Sequence, residues 1–156
     1  MKGKEWIGPV LVVVLLGALV VYAIISQIRE HHTQDDPVLV NIMDKLVPLF
    51  NGENYTGELE ELNDRRILDE IKVYRGNKSY TINKQKVYIC LLDENGEYYD
   101  ENMLTYVILH ELSHVICDEI GHTDKFHRIF DAVLDRATTE GLYDPSVPVI
   151  RNYCQH

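Results

Sequence analysis

Cysteine is scarce in this chain, and its spacing is wrong for a metal ribbon. Cys90, Cys117 and Cys154 are the whole set, and no Cys-x-x-Cys occurs. That absence excludes a zinc ribbon, whose ligands come in closely spaced pairs. It leaves room for one disulfide and one free thiol in an oxidising compartment, with Cys90 and Cys154 as the pair to test. Clustered positive charge is also lacking. Fifteen Lys and Arg stand against 25 Asp and Glu, for a formal net charge of −10. The first thirty residues sum to +1 (Lys2, Lys4 and Arg29 against Glu5 and Glu30), so the remainder carries −11. No nucleic-acid partner is expected of such a domain, because a phosphate backbone is bound by grouped Lys and Arg. There is no internal repeat and, beyond the apolar start, no low-complexity segment. At 156 residues the chain is long enough for one small domain and too short for two full ones.

One long hydrophobic run is present. From Trp6 to Ile25 no residue is charged. About twenty apolar residues are what a helix needs to cross a bilayer core of roughly 30 Å, and a signal-peptide core is shorter. Trp6 and Tyr22 fall near the two ends, where amphipathic rings favour the interface. The run reads as an uncleaved single-pass membrane anchor over residues 1–29. Lys2 and Lys4 precede it and Arg29 follows, which places the N-terminus in the cytoplasm and the larger domain on the other side. Residues 30–36, EHHTQDD, read as a polar linker, with His31 and His32 merely solvated.

The remainder, 37–156, reads as one domain. Asp36-Pro37 is a helix start, and Leu39, Ile42, Met43, Leu46, Val47 and Phe50 recur at helical spacing until Asn51-Gly52. Glu58 to Lys72 reads as a second helix. Ser79 to Asn83 and Val87 to Leu92 are strand candidates, and Glu97 to Tyr99 a short returning strand after the Asp93–Gly96 turn. Asp100 is placed to cap a long helix that Gly121 ends, and Thr123 or Asp124 to cap a last one that Gly141 closes.

The long helix carries His110-Glu111-Leu112-Ser113-His114. Residues four apart lie on one helix face, about 6 Å apart along the axis, so both imidazoles can grip one zinc ion. Glu111 leaves the helix beside them, where a carboxylate can act as general base towards a metal-activated water. A catalytic zinc takes three protein ligands and keeps a fourth position open. Cys117 continues the histidine face but lies about 10 Å along the axis from His110, too far for one straight helix to wrap one ion. His122, just past the Gly121 turn, is favoured. Glu140 is the runner-up, and His127 reads as structural or exposed.

His110 to His114, followed by Gly121-His122-Thr123-Asp124-Lys125-Phe126, resembles the zinc core of the WLM and SprT-like metallopeptidases. It also resembles short anchored zincins of large DNA viruses. The resemblance implies that His110, His114 and His122 are the metal ligands, Glu111 the catalytic base and Phe126 the aromatic that packs the next helix. Seven residues separate His114 from His122, more than is usual in WLM proteins and fewer than in SprT-like ones. The zinc ribbon that often follows the SprT core is absent.

The expected fold is therefore α+β: a small zincin-like domain of helices on a short, mostly antiparallel sheet, following a transmembrane helix. Val87 to Leu92 is expected as the edge strand above the metal. The expected activity is zinc-dependent hydrolysis of peptide bonds in a protein or peptide substrate at a membrane of the virion or host. Tyr143 or Tyr153 is the candidate to stabilise the oxyanion. The alternative is a membrane-anchored binding or structural protein with a non-catalytic zinc site, closed by Cys117 or Asp124 as a fourth ligand.

Overall fold

The computed structural model describes residues 7–34, 36–52 and 54–154. Trp6, Lys2 and Lys4, used above for the anchor and its orientation, lie outside these residues. The chain divides into two compact units, Met1–Thr33 and Gln34–His156.

The first unit is helix α1 (Ile7–Gln34). Within it, Gly8–Gln27 is long and apolar enough to cross a membrane, and none of that stretch is buried in the protein. A signal sequence has the same character. The helix runs on through residues 30–34, part of the expected linker. Nothing in Glu-His-His-Thr-Gln breaks a helix, and extending an existing helix needs no new nucleus. Pro37 is the first residue that disfavours helix before it.

The second unit is α+β. Helix α2 (Pro37–Phe50) starts where expected, with Asp36 accepting from the backbone N–H of Val38 at 3.1 Å and of Leu39 at 3.4 Å. The same buried carboxylate accepts from Arg75 Nη1 at 3.4 Å and from the Tyr98 hydroxyl at 3.1 Å. One side chain thus ties the start of the domain to two later segments. Leu39, Ile42, Leu46, Leu49 and Phe50 face the core.

The second expected helix is broken. A 3₁₀ segment spans Gly57–Asp64, a single turn α3 spans Ile67–Glu70, and strand β1 (Lys72–Gly76) begins where the helix was expected to end. Leu59 and Leu62 are both buried, and a spacing of three suits the 3₁₀ turn, in which residues i and i+3 eclipse. Asn63 holds the segment there, exchanging hydrogen bonds of 2.8 Å with the backbone N–H and C=O of Tyr55.

Strands β2 (Tyr80–Ile82) and β3 (Lys86–Cys90) complete a sheet of order β1-β3-β2. It is mixed: β1 and β3 are parallel, β2 and β3 antiparallel. The strand expected at the edge, β3, is central, and β1 and β2 are the edges, β2 being the one beside the histidines. The returning strand at Glu97–Tyr99 shrinks to a bridge between Leu92 and Tyr98. Asn83 and Lys84 both have positive φ, 50° and 55°, with Gln85 N–H donating to the Ile82 carbonyl at 3.0 Å. Three residues, Asn83, Lys84 and Gln85, thus join the paired Ile82 and Lys86 in a tight turn.

Helix α4 (Glu101–Ile116) has Asp100 as its cap, accepting from Asn102 N–H at 2.8 Å. It packs against β2, β3 and the last helix, α5 (Asp124–Thr139), and is buried on most sides. Thr123 caps α5, and Gly141 turns the chain beyond it at φ +71°. Cys90 and Cys154 form a disulfide with Cα atoms 6.4 Å apart, and Cys117 is a buried free thiol.

The disulfide closes a loop with a sequence separation of 64 residues. Chain-entropy arguments assign a loop of that length about 4 kcal/mol, and measured values are often lower. Replacing both Cys90 and Cys154 by Ala is expected to lower unfolding stability by about 2–4 kcal/mol in urea titration. An unchanged midpoint would show that the bridge constrains nothing in the unfolded chain.

Candidate metal centre

The site grows from the C-terminal half of α4. His110 and His114 project from one face, as their spacing dictates. The helix ends at Ile116, with Cys117 already extended, rather than at Gly121. Gly121 instead makes the return, at φ +86°, a backbone conformation that a side chain would strain. The next residue, His122, is thereby carried back over α4. Thr123 then caps α5 by accepting from Phe126 N–H at 3.3 Å. Lys125 in its first turn pairs with Asp118 in the return segment at 2.8 Å.

The three imidazoles converge through the same ring atom. His122 Nε2 lies 3.0 Å from His110 Nε2 and 3.2 Å from His114 Nε2. Phe126, wholly buried, backs all three. Its ring stacks on His114 at 4.2 Å and meets His110 and His122 edge-on at 5.0 and 4.9 Å. Phe130 supports His110 from the side at 5.1 Å.

The electrostatics favour neutral rings at His110 and His114. Burial first, and then the neighbouring His114, His122 and His127, push His110 down to about 4. Burial, followed by His122 and Lys84, also lowers His114. Neutral imidazole is the form that binds metal. Tetrahedral zinc with nitrogen ligands at about 2.0–2.1 Å places those nitrogens about 3.3 Å apart, close to the spacing of the two pairs here. The donor set therefore fits a zinc ion.

Glu111 points off the same helix and is 6% exposed. Its Oε2 accepts from the Thr81 hydroxyl at 2.8 Å. Burial raises its carboxyl above the usual range, and the Thr81 hydrogen bond opposes that rise. In front of these groups opens a cleft of about 620 Å³, lined on one side by Tyr80 and Thr81 of β2 and on the other by Glu119, Ile120 and Gly121. Ile120 is 93% exposed at its rim.

His110, His114 and His122 are thus brought together with Glu111 beside them. Among the described residues no other metal-ligating side chain joins the three histidines. Cys117 is buried away from them, and its carbonyl accepts from Lys84 Nζ. Glu140 caps the far end of α5, a 16-residue helix about 24 Å long. His127 is exposed, with its ring 6.3 Å from that of His122. Asp124 is exposed in the first turn of α5. Neither tyrosine expected to stabilise an oxyanion lines the cleft. Tyr143 packs against Tyr106 at 5.9 Å. Tyr153 is buried, its hydroxyl bonded to the Cys90 carbonyl and the Ser79 hydroxyl, and burial pushes it up to about 12. Thr81 was missed as a site residue. Its strand was recognised, but which strand would face α4 depends on sheet order.

Comparison with known proteins finds viral relatives. The chain is 41% identical over 143 residues to the uncharacterized protein 136R of Invertebrate iridescent virus 6, covering 84% of this chain and 80% of that one. It is 46% identical over 110 residues to the uncharacterized protein 042R of Invertebrate iridescent virus 3, covering 68% and 69%. A more distant match, 32% over 108 residues, is the uncharacterized protein R325 of Acanthamoeba polyphaga mimivirus, covering 59% and 54%. The chain belongs to the same protein family as the two iridescent-virus proteins. No protein-family model matches it, and no solved structure does.

Three histidines that could hold one metal ion make a clean prediction. His122→Ala is expected to lose zinc under mild chelation, while Cys117→Ala and Glu140→Ala keep the parent's metal content by elemental analysis. Full retention by His122→Ala would move the third ligand elsewhere.

Proposed function

We propose that this protein is a membrane-anchored, zinc-dependent metallopeptidase that hydrolyses peptide bonds with Glu111 as general base, of the zincin kind that the WLM and SprT-like enzymes represent. The observation that carries this reading is the convergence of three imidazole Nε2 atoms beside a buried carboxylate, all at one open cleft. Three protein ligands with an open front suit catalysis. A structural zinc needs a fourth protein ligand, and neither Cys117 nor Asp124 joins the cluster among the described residues.

His110, His114 and His122 would hold the ion. When bound, zinc supplies a Lewis acid that polarises a carbonyl and lowers the pKa of a water to about 7. Glu111 takes the proton from the attacking water and later gives it to the leaving amine. Its burial suits this double duty, because a carboxyl held above its usual range is a stronger base and still releases the proton. Thr81 and the return segment shape the two walls of the cleft, and an extended peptide fits along the edge strand β2.

Two features support the location. The apolar stretch Gly8–Gln27 is long enough to anchor the chain, at about 30 Å. The Cys90–Cys154 disulfide favours an oxidising, non-cytoplasmic side for the domain. A virion or host membrane accords with the viral relatives.

The test is Glu111→Gln in the full chain in detergent. The variant is expected to bind one zinc and melt near the parent, yet to lose cleavage of unfolded casein by about 10²–10⁴-fold. A chelator should stop the parent and added zinc restore it. Equal cleavage by parent and variant would assign the activity to a contaminant and overturn the reading.

A further inference from the structure

Thr81 stands in the middle of the edge strand β2, opposite Val87 of β3. Val87 is fully buried, whereas Tyr80 and Ile82 on either side of Thr81 are exposed. Strand alternation therefore turns Thr81 inward, towards α4. Its hydroxyl reaches two oxygens of one residue, Glu111 Oε2 at 2.8 Å and the Glu111 carbonyl at 3.2 Å. A hydroxyl has a single proton to donate. The carboxylate is nearer and, when ionised, the stronger acceptor.

A glutamate side chain has three torsions, and holding it in one arrangement costs up to about 2 kcal/mol of rotamer entropy. Glu111 is the only residue of the histidine helix whose side chain must be both buried and aimed at the cleft to do the work proposed above. Among the described residues, the group that donates to its carboxylate is the Thr81 hydroxyl. We propose that Thr81 is a positioning residue for the reaction, its hydroxyl fixing one oxygen of the Glu111 carboxylate so that the other faces the cleft to receive the proton. This rests on the peptidase reading.

The proton balance is simple. The attacking water loses a proton to Glu111 as its oxygen bonds to the carbonyl carbon. Glu111 then yields that proton to the amine nitrogen as the carbon–nitrogen bond breaks. Thr81 keeps its own proton throughout. When Glu111 is protonated and a weaker acceptor, the Thr81 hydroxyl has the Glu111 carbonyl within reach, so it is never left unpaired. The edge strand thus joins two tasks. Its outer edge is available to an extended substrate, and its inward side chain sets the base.

The predicted signature is a split between the kinetic constants. In the zinc-loaded full chain in detergent, Thr81→Val is expected to lower kcat on unfolded casein by about 10–100-fold, the usual cost of losing an orienting hydrogen bond at such a site. KM and zinc content should stay at the parent's values, and Thr81→Ser should restore most of the kcat. Independently of activity, urea unfolding of Thr81→Val, Glu111→Ala and the double variant should be non-additive, because removing the hydroxyl matters only while the carboxylate is there. Unchanged kcat in Thr81→Val, a loss confined to KM or to zinc content, or strict additivity would each overturn the proposal. A parent that cleaves nothing would overturn the peptidase reading and this proposal with it. Non-additive unfolding in that case would mark the hydrogen bond as structural only.

Discussion

The cleft depends on one short return of the chain. A single α-helix can present two imidazoles to one ion, and the third must come from elsewhere. Here the chain has seven residues, from Val115 to Gly121, in which to finish α4, reverse and deliver His122. Gly121 supplies the left-handed step, and Thr123 begins the next helix at once. Phe126 makes the arrangement rigid. It is the first core residue of α5 and also the surface on which the three histidine rings rest. One side chain therefore serves both the packing of α5 and the gathering of the three histidines.

The opposite wall is fixed by a different device. The tight hairpin between β2 and β3 carries Lys84 to the C-terminal end of α4, where its ammonium meets the Cys117 carbonyl. A cation there complements the partial negative charge of the helix end. The hairpin is thereby held beside the histidines, and Thr81 on the same strand beside Glu111. Around this site the domain is strongly acidic, with a net charge of −11 after the first thirty residues. Such a field raises the local concentration of cations, a metal dication included.

Most of the histidine cluster was legible because it lies in short-range sequence: the His110–His114 spacing, the Gly121 turn and the Phe126 that follows. Asp36, Asp100 and Thr123 were readable as caps for the same reason. What escaped depends on contacts distant in sequence. Leu59, Leu62, Ile67 and Ile71 carry a helical rhythm, but Asn63 binds the Tyr55 backbone and turns the stretch into a 3₁₀ segment, with a strand behind it. Val87 to Leu92 was a clear strand, yet its apolar character marks the centre of the sheet rather than its edge. Thr81 and the engaged state of Tyr153 follow from that order of strands and could not precede it.

The central claim is a zinc site with three imidazole ligands and one position open to solvent. X-ray absorption at the zinc edge of the loaded full chain tests it most directly. The account predicts about three imidazole nitrogens near 2.0–2.1 Å, one further light scatterer and no sulfur, at one zinc per chain. A sulfur shell near 2.3 Å, marking Cys117 as a ligand, or a fourth protein nitrogen would contradict it.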